Sequence, residues 1–284
     1  MEKIIKIFKE KGIEVTNIER ANNSFSSNVY IISSTKGKYV FKILFNEEKQ
    51  KNESSYIKYL SNKINIPKLI FTGSYEDKFY NVVSFIEGIN YDDKDFKKLT
   101  DEQIYKLGVL LGKLHSIKSL DQDTSSWIEY IHRSADKSLN NLNSIFDQNE
   151  EVYKYINNEI HKIEGTYENV ILHLDYRIGN VIFNDSEYLI DFESMKSGDS
   201  AFDFLKIYRL LNKKRFEIFV EGYKSVRNID NNTLNKIEFY NIFDAYTALN
   251  WCIDHDKIGS KFYYKNMKIL QNKFKKWMDH LIKY

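Results

Sequence analysis

One cysteine, Cys252, in 284 residues leaves no partner for an internal disulfide, and its place beside Trp251 in an apolar helical stretch reads as a buried, inert thiol. A reducing cytoplasm is the expected compartment. Proline is almost missing as well, with Pro67 standing alone. No apolar run is long enough to span a bilayer, so no membrane association is expected. Residues 1–8 alternate lysine with isoleucine and lack both a long apolar core and a small-residue cleavage site, so they are not read as a secretion signal. Charge of one sign is also lacking: 42 basic and 40 acidic side chains give a formal net charge of +2, too little for the basic face that nucleic acid demands. The histidines show no metal-site spacing. Nor is there a Gly-x-Ser-x-Gly, a Walker sequence or a dinucleotide fingerprint, which leaves hydrolase, P-loop and dehydrogenase readings unsupported.

What is present has a direction along the chain. The length accommodates one large domain or two lobes. Residues 4–11 read as a helix, and from Val15 short runs rich in β-branched and aromatic residues follow, at 28–33, 38–44 and 80–85, which read as strands. Lys36-Gly37 supplies a hairpin turn, since glycine tolerates positive φ. Between residues 47 and 63 the apolar residues Tyr56, Ile57 and Leu60 recur at helical spacing, so a helix is expected to interrupt the sheet before Pro67 ends it, in the order β, β, α, β, β. After Glu87-Gly88 the texture changes to amphipathic segments at 101–115, 127–146 and 151–164, interrupted by short apolar strands at 170–172, 181–183 and 188–190. Helices resume from Phe202, including 235–254 and 266–284. A boundary near Gly88 is expected, dividing residues 1–87 from 88–284.

Chemistry concentrates in His173-Leu174-Asp175-Tyr176-Arg177-Ile178-Gly179-Asn180, followed after an apolar run by Ile190-Asp191-Phe192-Glu193. Phosphoryl transfer to a hydroxyl needs a carboxylate to orient and deprotonate the nucleophile, together with oxygen ligands for magnesium. Asp175 precedes Asn180 by five positions, the spacing of the protein-kinase catalytic loop, and Asp191 falls where a metal-binding Asp-Phe-Gly would lie. Any one aspartate is more often a cap or turn former. Their joint occurrence in order, with apolar strands between them, favours the catalytic reading.

His-x-Asp-x-x-x-x-Asn with a following Ile-Asp-Phe-Glu resembles the motif of the aminoglycoside phosphotransferase and choline kinase family, and Gly198-Asp199-Ser200-Ala201-Phe202-Asp203-Phe204 resembles its Gly-Asp-Pro-Ala-x-Asp-Leu stretch, with serine in place of proline. The resemblance implies an α+β, bilobal protein-kinase-like fold with a β-rich, nucleotide-binding N-lobe and a mainly helical C-lobe. It implies Asp175 as catalytic base, Asn180 and Asp191 as Mg2+ ligands, and His173 and Asp203 as braces of the catalytic loop. Lys42, in the alternating run 39–44, stands where the family's phosphate-holding lysine lies, and Glu53 where its helical acid partner lies; Glu47 and Glu48 are weaker rivals. Taken alone, Lys42 would read as an edge-strand lysine.

The run from Asn22 to Tyr30 resembles the phosphate-covering loop, with Ser27 and Asn28 as candidate contacts, but it carries no glycine. Ser84, Phe85 and Ile86 resemble the hinge that meets the purine. Leu174 replaces a common glycine, and Arg177 stands where histidine is frequent. Arg177 could contact transferred phosphate or pair with a nearby acid, two readings of about equal weight. The motifs span residues 22–204, and the helices beyond match only in character.

The family reading implies a small-molecule kinase that transfers the γ-phosphoryl of ATP or GTP to a hydroxyl. An aminoglycoside or related antibiotic stands first as acceptor, with choline, ethanolamine, a sugar or homoserine as the metabolic alternative and a catalytically silent binding module as a third reading. The partner would be a small hydroxylated molecule, with cations among the candidates. Asp254 and Asp256, near the end of a helix, are candidate acceptor contacts. The aromatics at Tyr240, Tyr246 and Trp251 could flank a cation, although their helical spacing reads as core.

Overall fold

The computed structural model describes residues 1–21, 28–119, 125–229 and 231–274. In chain order, α1 (Glu2–Glu10) precedes β1 (Val15–Arg20), β2 (Asn28–Ser34) and β3 (Gly37–Leu44), and α2 (Glu47–Leu60) separates these from β4 (Leu69–Tyr75) and β5 (Lys78–Ser84). Next come β6 (Ile89–Asn90), α3 (Asp101–His115), α4 (Ser125–Leu142), α5 (Asn149–Ile163), β7 (Asn169–Leu172), β8 (Val181–Phe183), β9 (Glu187–Leu189) and β10 (Lys196–Asp199). Then follow α6 (Leu205–Leu210), α7 (Lys213–Lys224), α8 (Asn231–Asn235), α9 (Ile237–Asp254) and α10 (Lys261–Lys273), with 3-10 turns at Asp93–Lys98, Ile178–Asn180 and Ser200–Phe204. Contacts divide the chain into two compact units. The first comprises Met1–Ile117, His173–Lys196 and Lys206–Asn228; the second comprises the described parts of Lys118–Leu172, Ser197–Leu205 and Ile229–Tyr284. Among the described residues no helix is long and apolar enough to cross a membrane.

In the first unit five antiparallel strands form a sheet in the order β1-β2-β3-β5-β4. Alternation along β3 and β5 sends Phe41, Tyr80 and Val82 to one face, where they pack with Ile4 and Phe8 of α1 and with Ile32. Phe41 and Val82 are fully buried, each contributing about 2 kcal/mol. The opposite face carries Lys42 and, directly across the β3–β5 ladder, Asn81. Three strands precede α2 rather than the two expected. Val15–Arg20 escapes the alternation test because only Val15 and Ile18 turn partly inward, three residues apart, and a register shift between Val15 and Asn17 breaks the period. The helix after it is shorter than expected: α2 starts on the Asn46 cap, which accepts the Lys49 N–H, and stops at Leu60, well before Pro67. In the same unit α3 and α7 cross at Gly108 and Gly222, where a Cβ would overlap the backbone carbonyls of Phe219 and Tyr105.

The second unit packs α4, α5, α9 and α10 around aromatic side chains. The helix expected over 235–254 is α9, beginning at Ile237; the short α8 precedes it, and between the two the Lys236 ammonium meets Asp199 Oδ2 at 2.8 Å with both groups buried. α10 begins at Lys261, earlier than expected, because Ser260 caps it by accepting the Tyr263 N–H. Its expected continuation to residue 284 lies outside the described residues beyond 274. Tyr240 is completely buried; its hydroxyl donates to Asp199 Oδ2 at 3.0 Å and accepts from Trp127 Nε1 at 3.1 Å. Tyr246 is buried too, so both rings pack core as their spacing suggests.

Burial, then the adjacent Asp199 charge, pushes the Tyr240 hydroxyl well above the ordinary phenol range. Unfolding releases that phenol to titrate near pH 10. Tyr240 therefore contributes stability that is complete below about pH 10 and is lost as pH climbs beyond it toward the folded value. Urea midpoints are expected to fall steeply above about pH 10, and Tyr240→Phe to flatten that limb while lowering stability at neutral pH, where Asp199 loses a donor. An unchanged alkaline slope in the variant would refute the assignment.

Candidate active site

β3 and α2 set the first half of the site. Lys42 leaves β3 flanked by apolar neighbours, its side chain only 12% exposed. Its ammonium lies 2.8 Å from Glu53 Oε1, 2.5 Å from Asp191 Oδ1 and 3.0 Å from Glu193 Oε2. Burial alone would lower the Lys42 pKa, but Asp191, Glu53 and Glu193 outweigh it and raise the group well above its ordinary range. Burial likewise opposes ionisation of Asp191, yet the Lys42 charge and hydrogen bond dominate and hold its carboxyl below the ordinary range. Of the glutamates weighed in sequence, Glu53 therefore meets Lys42, whereas Glu47 pairs with Lys51 at 2.8 Å on the exposed start of α2.

Asn81 completes this arrangement from β5. Its amide donates to Glu53 Oε2 at 2.9 Å and to the Gln50 carbonyl at 3.3 Å, while its own Oδ1 is buried without a hydrogen-bond partner among the described residues. α2 also fastens the segment after Asp191: Asn52 Nδ2 donates to the carbonyls of Glu193 and Met195, each at 3.0 Å, and Lys49 Nζ to Ser194 Oγ at 2.9 Å.

The second half is the turn after β7. Asn180 donates through Nδ2 to the Asp175 carbonyl at 2.8 Å and to Asp175 Oδ2 at 2.9 Å, which closes a tight loop between them and turns the Asn180 amide oxygen away. Arg177 Nε donates to Asp175 Oδ2 at 3.1 Å, and its Nη1 lies 3.5 Å from Asp93 Oδ2. Gly179 packs against that guanidinium so closely that a Cβ would displace it. Ile190 joins the two halves: its N–H donates to the Asn180 carbonyl at 3.0 Å, and its carbonyl accepts from His173 Nε2 at 2.9 Å. His173 is fully buried between Tyr176 and Phe192, and Tyr176 anchors the turn by donating to the Leu107 carbonyl at 2.6 Å. Leu174 and Asp191 both adopt left-handed backbone, at φ 64° and 72°. Aspartate tolerates that region; for leucine it costs about 1–2 kcal/mol.

Other sequence candidates fall elsewhere. Asn28 begins β2 and accepts from Arg20 Nη2 at 2.9 Å, while Ser27 lies outside the described residues. In the hinge candidate, the Ser84 N–H donates to the Lys68 carbonyl at 2.8 Å and the Phe85 N–H to the Lys38 carbonyl at 3.2 Å, so both donors are engaged. Ile86 follows them as half-buried coil. Asp203 is buried in the Ser200–Phe204 turn of the second unit. In that unit too, Asp254 pairs with Lys137 at 2.6 Å and Asp256 takes φ 52° just past α9. Sequence reasoning gave no role to Glu193, Asn81, Asp93 or Lys206. Glu193 stood inside the motif; Asn81 becomes visible only once β3 is paired with β5, and Lys206 only in three dimensions.

The phosphotransferase enzyme family matches the chain over residues 17–232. No curated protein sequence matches it significantly. Among solved structures, the ADP-bound aminoglycoside phosphotransferase APH(2'')-Ib superposes with a TM-score of 0.68 at 18% identity, covering 95% of this chain and 97% of that one. The gentamicin complex of APH(2'')-IIa gives 0.70 at 19% identity, covering 95% and 96%. A choline/ethanolamine kinase family protein from Mesorhizobium loti gives 0.73 at 13% identity, covering 90% and 86%. At these identities the likeness is one of fold, and the fold is kinase-like, with a five-stranded antiparallel sheet followed by a mostly helical remainder.

Proposed function

The chain belongs to the phosphotransferase enzyme family, and from that premise we propose that it transfers the γ-phosphoryl group of ATP or GTP to a hydroxyl of a small molecule. One observation carries the reading: the Lys42–Glu53–Asp191 cluster and the Asp175–Asn180 loop are fastened to each other through Ile190 within a single compact unit. In this reading Asp175 orients and deprotonates the acceptor, Lys42 holds the nucleotide phosphates with Glu53 fixing it, and His173 and Asp203 brace the loops. Asn180 and Asp191 are the proposed magnesium ligands. They form an oxygen-only pair, and among the described residues no group of three or more His, Cys, Asp or Glu could hold a metal alone. That donor set suits a hard cation sharing its coordination with phosphate oxygens. Magnesium bound there would neutralise charge on the triphosphate.

Residues 1–87 would serve as the nucleotide-binding lobe and 88–284 as the lobe for catalysis and acceptor. With the Ser84 and Phe85 donors engaged, the purine contact is directed to Ile86 and to the carbonyls of this segment. Ser27 and Asn28 would approach the phosphates. ATP is favoured as donor by the ADP- and AMP-bound relatives. An aminoglycoside or related antibiotic is the first acceptor reading, supported by the gentamicin- and streptomycin-bound relatives, with Asp254 and Asp256 as proposed contacts for its amino groups. The Mesorhizobium loti relative favours choline or ethanolamine as a second reading. The protein would act in the cytoplasm. The deciding experiment is magnesium-dependent turnover of ATP and GTP against aminoglycosides, choline, ethanolamine, sugars and homoserine. One acceptor class that stimulates turnover supports the reading, and failure to bind either nucleotide would sink it in favour of a silent binding module.

Asn81 gives a sharper local test. A buried amide oxygen without a partner costs about 1–3 kcal/mol, so Asn81 is an expensive choice unless its amide is needed at Glu53. Asn81→Leu removes the orphan oxygen along with two hydrogen bonds, and stability should change by less than about 2 kcal/mol. Nucleotide Kd should nevertheless rise about tenfold, as Glu53 loses the group that aims its other oxygen at Lys42. Equal Kd values from calorimetry would remove Asn81 from the site.

A further inference from the structure

Asp175 does not face the reaction with two equivalent oxygens. Oδ2 accepts hydrogen bonds from Asn180 Nδ2 at 2.9 Å and Arg177 Nε at 3.1 Å. Oδ1 faces a different cation, the ammonium of Lys206, at 3.4 Å. Lys206 lies in the first turn of α6 between Leu205 and Ile207, both fully buried, and its own side chain is 26% exposed. Two points separate it from an ordinary surface lysine. Its flanks are locked in the core, which fixes the root of the side chain. Its ammonium also reaches across to another segment of the chain, the carboxylate of the turn after β7. The result is a carboxylate with a guanidinium on one oxygen and an ammonium on the other.

We propose that Lys206 is a catalytic residue that binds the phosphoryl group in transfer. The proposal rests on the kinase reading above. Oδ1 is the oxygen open to an acceptor hydroxyl, and an arriving hydroxyl takes the place beside it that the Lys206 ammonium occupies. Lys206, on a flexible four-carbon stem, then moves to the nearest anion, the γ-phosphoryl oxygens, while Arg177 stays on Oδ2. In the step itself the acceptor oxygen forms a bond to the γ-phosphorus, and the bond from that phosphorus to the β–γ bridging oxygen breaks. The electron pair leaves on the nucleoside diphosphate, and the hydroxyl proton passes to Asp175 Oδ1. Lys206 screens charge spread over the equatorial oxygens at the moment the base becomes neutral.

Water can serve as acceptor, so the test needs no identified substrate. Slow magnesium-dependent ATP hydrolysis is followed for the unaltered chain, Lys206→Met and Lys206→Arg, alongside affinity for ADP alone and for ADP with aluminium fluoride, a mimic of the phosphoryl in transfer. Lys206→Met is expected to keep its ADP Kd within about twofold while losing about 10²-fold in hydrolysis and a similar factor in affinity for the aluminium fluoride complex, with Lys206→Arg recovering part of both. Unchanged hydrolysis in Lys206→Met would overturn the role. So would a loss in which ADP affinity and the unfolding midpoint fall together, which is the signature of a structural ion pair. If the unaltered chain binds no nucleotide, the kinase reading fails and takes this proposal with it; normal binding and hydrolysis with a silent Lys206→Met overturns only the assignment of Lys206.

Discussion

Asp175→Asn is expected to fold, to bind nucleotide with little change in Kd, and to lose about 10²–10⁴-fold in turnover, the range that a positioned general base supplies. The asymmetry of the carboxylate explains why binding should survive. Asn180 and Arg177 both donate to Oδ2, so the amide oxygen of the new asparagine takes that place and the loop keeps its closure. The amide NH2 is then left toward Lys206, donor against cation. That pairing can neither accept a hydroxyl proton nor hold the ammonium, and the reacting side of the group fails while the structural side persists. Nucleotide contacts lie on Lys42 and its carboxylates in the proposed mechanism, away from the substituted atom. Turnover would be followed in a coupled assay with the stimulating acceptor, and Kd by calorimetry. A variant that keeps kcat within tenfold of the unaltered chain would remove Asp175 as the base and with it the mechanism built around it. A variant that loses nucleotide affinity to the same degree would recast Asp175 as a scaffold of the loop.

The closed turn from Asp175 to Asn180 was legible because its logic is local: the two are five residues apart, and the Asn180 side chain closes the turn on the carbonyl and carboxylate of Asp175. The pairing of Lys42 with Glu53 was legible only through resemblance, since β3 and α2 are adjacent in sequence but nothing in their spacing chooses Glu53 over Glu47 or Glu48. The choice is made by burial, which leaves Glu47 outside with Lys51 and brings Glu53 under the sheet. Leu174 shows a different limit. Its φ of 64° shows that the turn requires left-handed backbone there, a conformation that glycine would adopt without strain. The chain keeps the geometry with a leucine at a local cost, which no propensity argument from sequence would anticipate. β1 was missed because an edge strand with a register shift buries too little to show a period of two. Asn81 and Lys206 were invisible for a shared reason. Each is one polar residue in an apolar run, and its meaning comes from the partner that folding brings across from another segment.

Lys42→Met is expected to be the most disruptive single change in the fold as well as in the reaction. Lys42 compensates three carboxylates, of which Glu53 and Glu193 are almost buried, at 5% and 14% side-chain exposure. A methionine of similar length fills the space without the charge, so Glu53, Asp191 and Glu193 face one another with no cation between them. Removing one partner from a buried ion pair costs about 3–5 kcal/mol, because the remaining charge is desolvated without compensation. Asp191 is about one-third exposed and contributes least to that cost, being able to turn toward water. The expected result is a loss of about 3–5 kcal/mol in urea unfolding at neutral pH, together with loss of measurable nucleotide binding. Lys42→Arg should not rescue binding, since a planar guanidinium cannot occupy the point at which three carboxylates meet one ammonium. The control is a double variant. Glu53→Gln in the Lys42→Met background removes the most buried unpaired charge while Asn81 can still donate to the new amide oxygen, and it should restore part of the stability without restoring nucleotide affinity. A cycle of the two substitutions measures their coupling. Strictly additive losses would mean that Lys42 and Glu53 do not act on each other, and the cluster would then be a coincidence of packing; strong coupling in stability with no recovery of binding would separate the structural work of Glu53 from the binding work of Lys42.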